Sequence, residues 1–184
     1  MVAYTSQYPP AQNATYVKAT TTYGASYYPY FATDPIKSLT GTHVGNQWLS
    51  STGSITNQRF HIDLGTAKTI TRVYYENARD SGAFIAMGVK NFTIWGSNTG
   101  AGTFDDLVYA NDEGWTQITA SQTTFDEHVE ADQADPKYIT LTNSPAYRYY
   151  AFKFADHYGW PYMAVRRIEL QLLVGSRKTP LMYY

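Results

Sequence analysis

The chain has no cysteine, which excludes a disulfide framework, a thiolate nucleophile and any Cys-ligated metal, and leaves packing as the source of stability. It also lacks an excess of charge of either sign. Against 14 Lys and Arg stand 15 Asp and Glu, so no basic stripe is available to follow a phosphate backbone, and nucleic acid is excluded as the expected partner. No apolar run approaches the ~20 residues of a membrane span. The opening MVAYTSQYPPAQ has neither the basic start nor the apolar middle of a secretory signal, so the expectation is a soluble protein made in the cytoplasm. Sustained amphipathic helical periodicity, internal repeats and low-complexity tracts are missing too.

What is present is tyrosine, 18 copies in 184 residues, and a series of short alternating segments. Tyr combines broad contact area with a hydroxyl at low rotamer cost, which suits half-buried strands as well as binding surfaces. Arg59, His61 and Asp63 alternate with Phe60, Ile62 and Leu64, predicting a half-buried strand that stops at Gly65 with His61 on its outward face. Further strands are expected over residues 70–76, 90–96, 115–119, 137–142, 148–154 and 165–173. In the last two, Tyr150, Phe152 and Phe154 share a side, as do Ile168, Leu170 and Leu172.

Such strands, separated by Gly, Asn, Asp, Ser and Pro, predict an all-β fold, an antiparallel two-sheet β-sandwich. A single helical turn near residues 34–39 is the one exception expected. Residues 1–31 read as an extended Tyr-rich N-terminal arm with one strand within 14–22, residues 32–173 as the sandwich, and residues 174–184 as a short C-terminal tail. Both ends are rich in rings, so Tyr27, Tyr28, Tyr30 and Phe31 of the arm and Met182, Tyr183 and Tyr184 of the tail are candidate interface residues, toward a second copy in a homo-oligomer or toward another protein.

Several segments carry a likeness. NQWLSS (46–51), RFHIDLG (59–65), FTIWGSN (92–98), GWTQI (114–118), YRYYAFKF and RRIELQL together resemble the discoidin or coagulation factor 5/8 type C domains, over roughly residues 32–172. The resemblance implies a jelly-roll shared with galactose-binding-like carbohydrate-binding modules, and hence a carbohydrate or cell-surface glycan as partner. The Tyr-rich arm and YYENARDSG are similar to discoidin-like proteins of tailed-phage virions, which implies other virion proteins as neighbours and the virion as location. Many family members hold a calcium ion with loop carbonyls, an Asp, a Thr or Ser, and a Glu of the final strand. Here SLTGTHVGNQW puts Thr40 where the Asp would stand, so the resemblance offers only Thr40, Thr42 and Glu169 as calcium ligands, and calcium prefers carboxylate charge. The alternative is a loop closed by its own hydrogen bonds.

Ligands of sandwiches are met by loops gathered at one end of the sheets. Residues 21–31, 76–88 and 155–163 qualify. A turn needs the Gly and Pro of ADHYGWPYM but gains nothing from its rings. A sugar needs a flat aromatic platform and a few polar partners, so Trp160, Tyr158 and Tyr162 are candidates for the first and Asp156, His157, Arg79 and Asp80 for the second. A core cap is the competing reading of the same rings, and protein contact a third. Trp48 and Trp95 are assigned to structure.

Nothing indicates catalysis. His43, His61, His128 and His157 form no metal-binding spacing, the acidic run 126–135 reads as a solvated loop, and GSNTGAG (96–102) reads as a long hairpin turn without the lysine of a phosphate loop. The expected function is non-enzymatic recognition of carbohydrate or another surface, as part of a phage tail, fibre or head decoration. The alternative is a structural virion assembly protein whose loops touch only neighbouring subunits.

Overall fold

Tyr150, Phe152 and Phe154 recur with a period of two, and in the computed structural model, which describes residues 3–142 and 145–174, all three are fully buried on one face of a strand. That pattern arises when a pleated strand is covered on one side by a second layer. Among the described residues there are ten strands: β1 (Ala3–Gln7), β2 (Val17–Ala19), β3 (Trp48–Leu49), β4 (Gln58–Lys68), β5 (Arg72–Asn77), β6 (Phe92–Ser97), β7 (Thr116–Ala120), β8 (Lys137–Thr142), β9 (Tyr147–Phe154) and β10 (Ala164–Val174).

One sheet runs β1-β10-β5-β8 with β3 also on β10, and the other runs β7-β6-β9-β4-β2. The two are joined at one margin where Thr119 and Ala120 of β7 pair with Thr142 and Leu141 of β8. Each of these ladders is antiparallel, as expected of a sandwich.

The core between the sheets is mostly aromatic. Phe125 enters from a loop and lies 4.1 Å from Tyr75 and 4.5 Å from Phe92, centroid to centroid. Trp48 is fully buried against Phe60 and Phe154, at 5.5 and 5.8 Å, while its indole N–H donates to the Thr21 carbonyl at 2.9 Å. Buried indole nitrogen needs such a partner. Among the described residues no helix is long and apolar enough to cross a membrane.

Four details differ from the sequence expectation. His61 does face away from the core, yet it is fully buried, because Phe104, Trp115 and Tyr149 form a second cluster over that face. Phe104 belongs to a one-turn helix, α1 (Ala101–Asp105), inside the stretch expected as a plain hairpin turn. The helical turn expected at 34–39 is a single turn that does not propagate: Asp34 accepts the Ile36 N–H on its carboxylate and the Lys37 N–H on its carbonyl, each at 3.1 Å, and the carbonyls from Lys37 onward accept from arginine side chains instead of a next helical turn. β4 continues past Gly65, whose φ of 74° lets the strand kink while a Cβ there would meet Pro10 at 2.6 Å.

Within the expected N-terminal arm, residues 3–31 are woven into both sheets. β1 pairs with β10 from Ala3↔Val174 to Gln7↔Leu170, and β2 pairs with β4. The tail residues Met182, Tyr183 and Tyr184 lie outside the described residues.

Candidate functional site

At one end of the sandwich the three loops singled out above converge. Residues 21–31 leave β2 and bring Tyr23 and Tyr27; the loop after β5 brings Phe84 and Met87; the loop before β10 brings Trp160 and Tyr162. With His43 and Leu49 they enclose a pocket of about 250 Å³. Tyr23 stands edge to face with Tyr27 at 5.6 Å and with Tyr162 at 5.3 Å, and Phe84 lies tilted against Trp160 at 5.1 Å. Trp160 is 37% and Phe84 47% exposed, an unusual state for such large apolar groups unless something else covers them.

Phe84 is held with φ 55° and ψ 33°, in the left-handed region that a bulky residue rarely adopts. That conformation presents the ring to Trp160. Backbone strain of this kind is retained where the surroundings enforce it, and it concentrates at binding sites.

The polar side of the pocket is a short relay. Asp80 accepts the His43 main-chain N–H at 3.1 Å with one oxygen and lies 3.0 Å from His43 Nδ1 with the other. On the far side of the ring, His43 Nε2 is 2.8 Å from the Tyr27 hydroxyl. Burial, and then the Asp80 carboxylate, push the Tyr27 phenol up from its ordinary value, so it stays protonated and can donate or accept. The lining therefore offers rings for an apolar face and hydroxyl and imidazole groups for a polar rim, and the carboxylate stands behind the histidine.

Other residues expected at a ligand face have structural duties. Arg79 is fully buried, its guanidinium turned inward to the Leu39 carbonyl and to Asp132. Asp156 accepts both the main-chain and the side-chain N–H of Asn91, each at 2.9 Å. Tyr158 donates to the Phe125 carbonyl at 2.6 Å, and His157 contacts the Trp160 carbonyl, which shapes the loop under the indole. A loop arginine or aspartate reads as a ligand group in sequence because nothing in the sequence says which way it points.

Tyr28, Tyr30 and Phe31 pack on one another, Tyr28 stacking on Tyr30 at 5.1 Å and Phe31 meeting the Lys37 ammonium at 4.2 Å. Tyr27 faces the pocket. The acidic run is a strap more than a solvated loop: Asp132 reaches Arg79 and the Gly41 N–H, and His128 is buried 3.7 Å from the equally buried Glu76. Of the calcium ligands that the resemblance offered, Thr42 accepts the Val44 N–H, the Thr40 carbonyl accepts from Arg166, and Glu169 accepts from Ser6 and Arg167. Among the described residues no group of three or more His, Cys, Asp or Glu could hold a metal ion.

Sequence reasoning missed His43, Phe84 and Tyr23. The one available signal for His43 was its seat in a Gly- and Thr-rich loop, TGTHVG; Phe84, within GAFIAMG, reads as an ordinary apolar residue until its φ is known.

Known proteins place this architecture. Residues 16–165 match the family model described as the F5/8 type C domain. No curated protein matches the chain. Among solved structures, the chain is similar to the family 32 carbohydrate-binding module of C. perfringens NanJ in complex with galactose, with TM-score 0.61 and 13% identity over 92% of this chain and 100% of that one. It is similar to the F5/8 type C domain of a Bacteroides fragilis protein, with TM-score 0.58 and 15% identity over 90% and 96%. Chitosan-binding module 1 of a Paenibacillus sp. IK-5 chitosanase/glucanase aligns with TM-score 0.55 and 21% identity over 86% and 93%. The fold is shared with all three, and because the matched residues 16–165 take in β2 through β9, the start of β10 and every loop of the pocket, the chain belongs to the F5/8 type C domain family.

Proposed function

We propose that this protein is a non-catalytic carbohydrate-binding module that takes the terminal, uncharged sugar of a glycan into the ring-lined pocket. The observation that carries this reading is the pairing of exposed Trp160 and Phe84 with the Tyr27–His43–Asp80 relay around one small cavity. A pyranose has an apolar C–H face that stacks on a ring and hydroxyls that need donors and acceptors at its edge. The pocket, about 250 Å³, lies below the ~300–1,000 Å³ of sites for drug-sized ligands, and suits a single sugar unit.

Charge supports the uncharged class. Among the described residues no arginine or lysine lines the pocket, Arg79 being turned inward, so a uronate or sialate carboxylate would meet no guanidinium fork there. Among the described residues the lining also carries no carboxylate, whereas glycoside hydrolysis uses two flanking the bond. The C. perfringens NanJ module named above was solved with galactose, which makes galactose-type sugars the first to try.

A glycan array followed by calorimetry with the hits tests the reading. Trp160→Ala and Phe84→Ala should each weaken binding at least about tenfold, a loss of roughly 1.4 kcal/mol, with the fold intact. Absence of any hit with the wild type, or equal affinity in both variants, overturns it. The resemblance to phage discoidin-like proteins supports placing such a module on a virion, as an adhesion element among other virion proteins; cosedimentation with host cells, competed by the free sugar, tests that placement.

A further inference from the structure

The turn that leads to His43 has an unusual set of partners. From Lys37 to Gly41, five successive carbonyls each accept from a guanidinium: Lys37 from Arg167 Nη2 at 2.6 Å, Ser38 from Arg166 Nε at 3.0 Å, Leu39 from Arg79 Nη2, Thr40 from Arg166 Nη2 at 2.8 Å and Gly41 from Arg166 Nη1 at 3.4 Å. Arg79 and Arg166 are fully buried and Arg167 is buried too. Arg167 also meets Glu169, and Arg79 meets Asp132, which accepts the Gly41 N–H at 2.7 Å and so ties the turn from its other side.

Arg166 differs from its two neighbours. Each of its hydrogen bonds described here ends on a main-chain oxygen: three on the turn and one, at 3.4 Å, on the Arg79 carbonyl. A buried guanidinium without a bonded carboxylate is costly, and burial together with the Arg79 charge pushes Arg166 down to about 10. At neutral pH it remains a cation. Such a cost is retained when the group orders something that nothing cheaper could.

Converging carbonyls are what a hard cation seeks. Calcium takes six to eight oxygens, some of them charged. Here the inward carbonyls are already spoken for, the carboxylates of Asp132 and Glu169 are engaged by guanidinium groups, and two fully buried guanidiniums would repel a dication in a weakly screening interior. The residues present do not fit calcium.

We infer that Arg166, flanked by Arg79 and Arg167, is the resident cation of this turn and a positioning residue for the pocket, so that the site assembles without a metal. The connection is short. Beyond Gly41, at φ 72°, the chain passes through Thr42 to His43, whose main-chain N–H donates to Asp80 and whose Nδ1 lies 3.0 Å from the same carboxylate, and Ser81 N–H reaches back to the Gly41 carbonyl at 3.1 Å. A planar fork can span the Ser38, Thr40 and Gly41 carbonyls at once; a lysine ammonium cannot.

The test stands apart from sugar binding. Calcium and terbium are titrated into the wild-type chain by calorimetry and by Tyr- and Trp-sensitised luminescence, and thermal unfolding is compared in EDTA and in ~5 mM calcium, above the ~10⁻⁴–10⁻³ M dissociation constants of weak extracellular calcium modules. The expected result is no saturable binding and no shift of the midpoint beyond about 1 °C, where a ligand in excess would raise it. Arg166→Lys keeps a charge but not the fork. Amide exchange across residues 38–45 should accelerate at least about tenfold and the His43 ring signals should move, while protection in β4 and β9 stays as in the wild type. Saturable calcium binding, a fall of the midpoint in EDTA, or unchanged exchange and His43 signals in Arg166→Lys overturns the inference.

Discussion

His61 shows how much a single side chain can depend on what covers it. It is fully buried beneath Phe104 and Trp115, and its Nδ1 lies 2.8 Å from the Phe104 carbonyl. Burial pushes its pKa down to about 4 from 6.5, aided by the Arg59 charge and opposed by the Phe104 carbonyl. The folded protein thus keeps His61 neutral where the unfolded chain would protonate it. Stability is fully present above pH 6.5 and falls as the pH drops from 6.5 toward 4, by about 1.4 kcal/mol per pH unit and roughly 3 kcal/mol in all. Urea unfolding at intervals from pH 7 to pH 4 should reveal this slope, and His61→Asn, which can still donate to the carbonyl, should remove about one proton's worth of it; an identical slope in the variant would assign the acid sensitivity to other groups. At this scale the sequence was legible where a residue type is out of place for its local task, as with Trp160 in a turn. It was silent where direction decides, as with Arg79, or where backbone angle decides, as with Phe84.

Among elements, the strands were legible and their caps were not. Alternation predicts β4, β6, β9 and β10 to within a few residues, because period two survives whatever lies on either side. The short helix α1 and the two-residue β3 leave no periodic trace, since neither is long enough to repeat. β1 was hidden for another reason: AYTSQ sits on the rim of a sheet with one half-covered face, so its pattern is weak, and its stability comes from β10. Removing residues 1–8 strips five paired positions from β10, together with the Ser6 contacts to Glu169 and Gln171. The unfolding midpoint should drop by roughly 5 °C. The bared edge of β10 should also raise self-association, seen as increased light scattering on heating. An unchanged midpoint would mean that β1 contributes nothing to holding that margin.

Taken whole, the molecule is joined through rings more than through backbone. Among the described residues the strands of the two sheets pair only where β7 meets β8, while Phe125 contacts Tyr75 in one sheet and Phe92, Phe152 and Phe154 in the other. Phe125→Ala should therefore cost about 3–5 kcal/mol, typical of a large ring removed from a core. Far-UV circular dichroism and tryptophan fluorescence should still report one shared transition, shifted to the same lower denaturant concentration. Two separated transitions would show that the sheets unfold independently.

The pairing of Ala3 with Val174 has a consequence for how such a domain can be carried. The start of β1 and the end of β10 sit side by side, and β10, eleven residues long, places them roughly 30 Å from the Trp160 loop at its opposite end. A host polypeptide could therefore splice this unit into a surface loop with little change in its own path, hold it by a two-legged stalk, and leave the aromatic mouth facing outward.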